Sequence, residues 1–278
     1  MKTFLNELIQ FDIDALDKLN SITKYPSILT YHNLGPRGSL VESLVEDKSF
    51  GDNTVYITEK VDGTNSRIVF STDETGSVED YIIGSREDFL YACGDRIINP
   101  TLGIVKNMKN IATPIALLGQ NKLRPNCLYC LYGETYGGKI NNARQYSTRG
   151  NYGVRIFDLF IIEHEKVEEL MDMKIDHIVT WREKGNQPFV SVDELKEFCN
   201  DYYLDIVPYI TVANGLDIPT SLQGVWNWLQ TFKDSKVVLD DSGDGHAEGV
   251  VVRFKDRSFI RKIRFEDYSR TKKMGLIQ

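Results

Sequence analysis

The chain has 278 residues, 41% of them apolar, and a net charge of −7. This length can bury a sizeable core as one large domain or two modest ones, and the acidic charge argues against a non-specific nucleic-acid binder, which is usually basic. No apolar run approaches the roughly 18 residues of a membrane helix, and Glu7 comes too early for a secretory signal. We therefore expect a cytoplasmic protein that does not bind membranes.

Hydrophobic periodicity predicts helices and strands interspersed along the chain. Helical patterns cover residues 4–19, 104–118, 191–202 and 221–232. Strand-like runs cover residues 55–61, 66–70, 81–84, 127–132, 154–162, 248–254 and 259–265. Ser191 and Glu194 have the spacing of a capping box at the start of the third helix. Hairpin-like strand spacing with helices between indicates an α+β fold with antiparallel sheets.

Cys127 and Cys130 form a C-x-x-C pattern. A structural zinc site needs a second such pair or a pair of histidines, which the sequence lacks at suitable spacing. In a strand, residues three positions apart point to opposite faces. We therefore expect buried thiols that bind no metal.

The most informative segment is Lys60-Val-Asp-Gly-Thr-Asn65, at the end of a predicted strand. Lysine is a poor strand former and is rarely buried, so its position needs a reason. A partly desolvated lysine near other cations can act as a nucleophile, and Gly63 lets a backbone or a phosphate approach closely. Taken alone, the six residues fit a solvated hairpin with an Asp-Gly turn equally well.

Five later segments give the lysine a context. They are Ser85-Arg86, Tyr132-Gly-Glu134, Phe157-Asp158, Glu248-Gly-Val-Val-Val-Arg253 and Lys262-Ile-Arg264. With Lys60 they resemble, in order and spacing, the covalent nucleotidyltransferases: ATP-dependent DNA ligases, RNA ligases and mRNA capping enzymes. The resemblance runs from about residue 54 to residue 265. It implies a nucleotidyltransferase fold of antiparallel sheets flanked by helices, with the active site in the cleft between them.

The resemblance also implies a role for each matching residue. Lys60 is the nucleophile that takes AMP from ATP, and Lys262 and Arg264 bind the α-phosphate, so these three form the catalytic set. Glu248 binds a divalent metal, Mg²⁺ or Mn²⁺. The ATP-binding positions correspond to Glu59, Asn65, Arg86, Glu134, Phe157, Lys262 and Arg264. Among them, Arg86 and Glu134 hold the ribose, and Phe157 stacks on the base.

Several of these residues also have an ordinary structural explanation. Phe157 in an apolar strand is usually part of the core, and Arg86 is followed by acidic residues that suit a surface ion pair. Glu134 fits a plain strand end. The cation-rich stretch 261–273 fits a solvated tail.

Asn65 and Tyr136-Gly-Gly-Lys139 look like the phage-type RNA ligases that seal nicked duplex RNA, since DNA ligases and capping enzymes usually have arginine at the position of Asn65. Two features depart from the family. Arg264 stands where lysine is usual. The planar guanidinium of arginine and the compact ammonium of lysine bind a phosphate with different geometry. The chain also ends 14 residues after Arg264, so we expect neither a C-terminal OB-fold nor an added helical domain. We expect one nucleotidyltransferase domain over residues 1–278, with an N-terminal extension (1–50) and a mostly helical insert (163–245).

These features together predict an ATP-dependent RNA ligase. Its partners would be RNA ends with a 3′-hydroxyl and a 5′-phosphate, joined through a lysyl-AMP intermediate and an adenylylated 5′ end. Two alternatives remain open. One is a small ATP-dependent DNA ligase, and the other is a subunit of a repair complex that binds nucleotides or nucleic-acid ends without sealing them.

Overall fold

The computed structural model of this chain describes residues 3–9, 12–92, 95–96 and 102–278. These residues form two compact units, each assembled from three stretches of chain. The first unit contains the described residues up to Ser27, then Gly63–Ile140 and Tyr152–Ile206. The second unit contains Ile28–Asp62, Asn141–Asn151 and Val207–Gln278. The chain passes from the second unit to the first between Asp62 and Gly63, inside the segment Lys60–Asn65.

Strands and helices are interspersed along the chain without a regular alternation. The strands are β1 (His32–Leu34), β2 (Leu40–Leu44), β3 (Thr54–Lys60), β4 (Thr64–Thr72), β5 (Val78–Ser85), β6 (Phe89–Ala92), β7 (Asp95–Arg96), β8 (Cys127–Gly137), β9 (Tyr152–Glu163), β10 (Tyr209–Asn214), β11 (Gly249–Arg253) and β12 (Ile260–Arg264). The α-helices are α1 (Phe4–Ile9), α2 (Ile13–Thr23), α3 (Ile104–Leu118), α4 (His164–Met171), α5 (Ile175–Glu183), α6 (Val192–Asp201), α7 (Leu222–Leu229) and α8 (Phe265–Lys273).

The first unit is built on a six-stranded sheet in the order β7-β6-β5-β4-β8-β9, with antiparallel neighbours throughout. Its strands are apolar on both faces because helices cover both. On β4, Ile68 and Phe70 pack in the same cluster as α3 residues such as Met108. Val69, which points to the other face, packs with residues of α2, α4 and α5, for example Leu19.

The two cysteines of the C-x-x-C pattern lie on opposite faces of this sheet. Cys127 belongs to the cluster beside α3 and Cys130 to the cluster on the other face. Both are buried, and neither forms a disulfide. Burial raises the pKa of both thiols, so they are inert side chains of the core. The prediction of buried thiols is confirmed.

The second unit is built on a four-stranded sheet in the order β10-β3-β11-β12, again with antiparallel neighbours. One face is apolar and packs under α7, with Ile57, Val250 and Ile263 buried against helix residues such as Val225. The other face carries Lys60, which ends β3. Alternation along each strand separates the two faces.

The sequence patterns locate most elements, with corrections at two places. The helical pattern over residues 4–19 forms two helices, α1 and α2, because Asp12 caps the second by accepting a hydrogen bond from the Asp14 N–H. The stretch 261–273 is not a solvated tail, because it forms β12 and α8. The capping box is confirmed, since Ser191 and Glu194 bond reciprocally at the start of α6.

These observations confirm the α+β class, with antiparallel sheets flanked by helices. In the part of the chain that the structure describes, no helix is both long and apolar enough to cross a membrane. The single nucleotidyltransferase domain over residues 1–278 stays a prediction.

Candidate active site

Lys60 lies in a row of paired residues across three strands of the second unit. Gly249 on β11 pairs with Lys60 on one side and with Arg264 on the other. Directly paired residues project from the same face of a sheet. Lys262 lies on this face as well, two residues before Arg264 and paired with Val251. The sheet therefore gathers three of the predicted cations on one face.

Glycine is the only residue type that fits at position 249. A Cβ atom built there would lie 2.1 Å from the backbone oxygen of Ile263 and 2.8 Å from the Arg264 Cα. Its φ of +156° is also a conformation that side chains disfavour. The absence of a side chain therefore lets β12 approach β11 closely at this row.

Glu248 comes directly before β11 and contacts both cations of the row. Its carboxylate forms an ion pair with the Lys60 ammonium, and its Oε1 lies 3.8 Å from Arg264. The Lys60 side chain is 23% exposed and that of Glu248 17%, so the pair is largely desolvated. Burial raises the pKa of Glu248 above its ordinary value, although the charges of Lys60 and Arg264 oppose the shift.

Asp267 on α8 holds the guanidinium of Arg264 in place. The Arg264 Nε and Nη2 each donate to one carboxylate oxygen of Asp267, at 2.9 Å. Asp267 is buried. This bidentate contact leaves Nη1 directed at Glu248. A lysine could not make the fork and reach Glu248 together, which explains an arginine at this position.

Glu59 differs from its neighbour Lys60 in where its side chain goes. It is 2% exposed and accepts hydrogen bonds from the Ser235 hydroxyl at 2.6 Å and the Lys236 N–H at 2.7 Å. Successive strand residues point to opposite faces, so the structure does not bring Glu59 to the face of Lys60. Its carboxylate fixes the loop before Glu248 to β3.

The turn after Lys60 is fixed by the stretch 141–151, which sequence reasoning missed. The Asp62 N–H donates to the Tyr146 hydroxyl at 2.6 Å, and the Asn142 amide donates to the Asp62 carboxylate at 2.7 Å. Tyr146 is fully buried, which raises the pKa of its hydroxyl far above the ordinary value. An aromatic residue in a polar stretch was the only signal for it in the sequence.

In the first unit, the predicted nucleotide-binding residues lie on neighbouring strands at one end of the sheet. Asn65 on β4 pairs with Glu134 on β8. Ser85, which precedes Arg86, pairs with Ser66, which follows Asn65. A Cβ at Gly63 would lie 2.4 Å from the Thr135 backbone oxygen, so this glycine is needed for a close backbone approach.

The environments of these side chains differ. The Asn65 Oδ1 is buried and has no hydrogen-bond partner among the described residues. Phe157 is half-buried and meets the Tyr25 ring edge-on, with the ring centroids 5.0 Å apart. Arg86 is exposed, and its Nε lies 3.6 Å from Glu87, as the surface ion-pair explanation predicts.

The donors available for a metal are few. Among the described residues there is no group of three or more His, Cys, Asp or Glu side chains that could hold a metal ion. Magnesium, however, usually keeps several waters and binds through one or two carboxylates together with substrate phosphates. Glu248, a hard oxygen donor beside Lys60, fits such an ion.

The geometry can be compared with known structures. The chain is similar to Naegleria gruberi RNA ligase solved with PPi, at 14% identity and a TM-score of 0.54, covering 91% of this chain and 59% of that one. A variant of that ligase with ATP and Mn gives 15% identity, a TM-score of 0.54 and coverage of 91% and 58%. At such identities the likeness shows the fold alone. This chain spans less than two thirds of the length of those ligase chains.

Comparison at the level of sequence gives the family. None of the curated proteins matches the chain. The family model described as RNA ligase matches residues 53–272, which is most of the chain and includes every predicted site residue. The chain therefore belongs to the RNA ligase family.

Proposed function

We propose that this protein is an ATP-dependent RNA ligase that joins a 3′-hydroxyl to a 5′-phosphate through a lysyl-AMP intermediate. The observation that carries the proposal is the row Lys60–Gly249–Arg264 with Glu248 paired to Lys60. A largely desolvated lysine beside a second cation and a carboxylate is the arrangement that covalent catalysis on phosphorus requires.

In the first step, the Lys60 Nζ attacks the α-phosphorus of ATP. The Lys60 ammonium first gives one proton to solvent, because only the neutral amine has a lone pair. As the nitrogen–phosphorus bond forms, the bond from this phosphorus to the bridging oxygen breaks, pyrophosphate leaves with the electron pair, and the nitrogen gives a second proton to solvent. Glu248 has to release Lys60 before the attack, because the two are paired in the nucleotide-free chain. Lys262 and Arg264 bind the α-phosphate, where negative charge accumulates.

Glu248 is also the residue that would hold a divalent cation, Mg²⁺ or Mn²⁺. Such an ion supplies charge neutralisation on the phosphates. The two roles of Glu248 are compatible because a carboxylate released by Lys60 becomes available as an oxygen ligand. The neighbour solved with ATP and Mn supports the use of both by this family.

The first unit supplies the residues that recognise the nucleoside. Arg86 and Glu134 bind the ribose, and Phe157 stacks on the base through its exposed part. Asn65, which pairs with Glu134 on the neighbouring strand, is assigned to the ATP site as well. Glu59 is assigned to the ATP site only indirectly, since its carboxylate lies on the opposite face of β3 and holds the loop before Glu248 through Ser235 and Lys236.

The substrate class we propose is nicked duplex RNA. Its support is the pattern Gly63-Thr-Asn65 together with Tyr136-Gly-Gly-Lys139. A 2′-hydroxyl is what lets a protein distinguish RNA from DNA at a given position.

Intact mass after incubation with ATP and Mg²⁺ or Mn²⁺ tests the first step. We expect the mass of one adenylyl group to be added, with none in Lys60→Ala, and no adduct in the wild-type chain without a divalent cation. Lys184→Ala, an exposed lysine on the first unit, is the control and should react normally. A chain that forms no adduct with any nucleoside triphosphate would overturn the proposal.

Sealing of nicked duplexes tests the substrate. Two duplexes are compared that differ only in whether the strand carrying the 3′-hydroxyl ends in RNA or DNA. We expect the RNA end to be sealed faster. Equal rates for the two ends would remove the assignment to RNA while leaving the adenylation step intact.

A further inference from the structure

The stretch Ile13–Tyr25 packs against the residues that we assign to the nucleotide. It lies outside residues 53–272, the part matched by the RNA ligase family. It forms α2 and the two residues that follow, and it belongs to the first unit. Its polar side chains reach two places, the turn that carries Arg86 and the strand that carries Phe157.

The first connection runs through Arg67, a fully buried arginine on β4. Arg67 pairs with Gly84 on β5, where a Cβ would lie 2.9 Å from the Arg67 Nε, so its side chain can cross that strand only because the position is glycine. Its Nη1 donates to the Arg86 backbone oxygen at 3.4 Å, and its Nη2 donates to the Asn20 side-chain oxygen.

The charge of Arg67 is retained despite this burial. Desolvation lowers the pKa of its guanidinium to about 10, which still leaves it protonated at neutral pH. The guanidinium also lies 4.8 Å from the centre of the Phe89 ring. Because a buried cation needs its acceptors, Asn20 and the Arg86 carbonyl are held in place by the same group.

Asn20 and Lys24 also contact Glu87, the residue that follows Arg86 in the turn. The Asn20 amide donates to the Glu87 backbone oxygen at 2.8 Å, and the Lys24 ammonium lies 3.1 Å from the Glu87 carboxylate. Asn20 thus bonds both Arg67 and the residue directly after Arg86. One hydrogen bond, from Asn20, therefore ties the Glu87 backbone to α2 directly. Arg67 adds an indirect link through Asn20, and Lys24 adds an ion pair to the Glu87 side chain.

The second connection runs through Tyr25. Its hydroxyl donates to the buried Asp158 carboxylate at 2.8 Å, and its ring meets Phe157 edge-on, at an interplanar angle of 84°. The Tyr132 hydroxyl donates to the Thr23 backbone oxygen at 2.7 Å, which fixes the end of α2 to β8. Tyr25 is thereby locked in position beside Phe157.

We infer that the stretch Ile13–Tyr25 is a positioning element of the nucleotide site. Through Asn20 and Arg67 it sets the Arg86 turn, and through Tyr25 it sets the orientation of the Phe157 ring. Asn20, Arg67 and Tyr25 are positioning residues, since each acts through a residue that contacts ATP. The inference rests on the proposed roles of Arg86 and Phe157.

Titration of ATP into variants of the Lys60→Ala chain tests the inference without requiring catalysis. We expect Asn20→Ala to weaken ATP binding about 3- to 10-fold, the cost of preorganisation lost with one or two hydrogen bonds. Tyr25→Phe, which keeps the ring and loses the hydroxyl, should weaken it less than Tyr25→Leu. In the catalytically intact chain, Asn20→Ala should raise the KM for ATP and leave the rate at saturating ATP within about twofold.

Lys18→Ala is the matched control. Lys18 also lies on α2 and donates to a distant backbone oxygen, that of Met171 at 2.9 Å, away from Arg86 and Phe157. It should lower thermal stability as Asn20→Ala does but leave ATP affinity unchanged. The inference would be overturned if Asn20→Ala left the ATP affinity unchanged, or if Asn20→Ala and Lys18→Ala reduced the ATP affinity equally. It would also be overturned if the parent chain bound no ATP. ATP binding without adduct formation by wild-type protein would instead overturn only the proposed function.

Discussion

At Glu248, burial and two neighbouring cations act on the same carboxyl in opposite directions. Burial raises its pKa, while Lys60 and Arg264 lower it, and the net shift is upward. The folded chain therefore binds this proton more tightly than the unfolded chain does. The stabilisation from the bound proton is complete below the ordinary pKa and is lost as the pH rises through the raised one.

Glu248→Gln removes this pH dependence. We expect the unfolding free energy of the wild-type chain, minus that of the variant, to fall as the pH rises from about 4 towards about 7. Urea unfolding of both proteins at several pH values measures the difference. If the difference stays flat or rises across this interval, burial is not the dominant influence on the pKa of Glu248.

Arg264→Lys is predicted to be harmful although it keeps the charge. A lysine replaces two hydrogen bonds to the buried Asp267 by at most one, so we expect a loss of about 1–3 kcal/mol of stability and slower adenylation. Arg270→Lys on α8 is the control, because the ion pair of Arg270 with Glu266 is exposed and worth roughly 0–1 kcal/mol. Similar stability for the two variants would refute the role of the arginine fork.

At this scale the sequence predicts residue types better than contacts. The resemblance predicts Lys60 and Arg264 as catalytic residues and Glu248 as the metal ligand, and in the structure Glu248 contacts both cations. The support from Tyr146 could not be predicted, because it depends on a residue 84 positions from Asp62 along the chain. Glu59 is next to Lys60 in the sequence but is separated from it in the structure, because neighbouring residues of a strand point to opposite faces.

Among the elements, β11 determines the geometry of the candidate site because it lies between β3 and β12. Periodicity locates β3, β11 and β12 to within one residue at each end. It did not predict that β11 separates the other two, since pairing depends on contacts between distant stretches of chain. Strand neighbours are set by the packing of the whole unit, so a local pattern does not specify them.

Gly249→Ala tests the central position of β11. The added methyl would collide with the Ile263 backbone oxygen and occupy a disfavoured φ. We expect it to cost at least about 2 kcal/mol more than Gly275→Ala. Gly275 has a φ of +75° and open space around it, so it reports the backbone cost alone. Denaturant unfolding compares the two variants, and equal losses would show that the close approach of β12 is not needed.

For the whole molecule, the acidic net charge has to be reconciled with a nucleic-acid substrate. The stretch 261–273 contains six cations. Three of them already pair with acidic side chains, Arg261 with Glu46, Arg264 with Asp267 and Arg270 with Glu266. Lys272 and Lys273 are exposed on the last turn of α8. Much of this local positive charge is therefore neutralised within the protein.

RNA binding should accordingly depend only weakly on salt. Each phosphate neutralised by a protein cation contributes roughly −0.9 to the slope of log K against log salt concentration in a duplex, because a counterion is released. With much of the basic stretch paired internally, we expect a slope no steeper than about −4 for a nicked RNA duplex. Fluorescence anisotropy with the Lys60→Ala chain, from about 50 to about 300 mM salt, measures it. A slope of about −7 or steeper would mean that RNA displaces the acidic partners of these arginines, and the Glu266→Gln variant would then bind RNA more tightly than its parent.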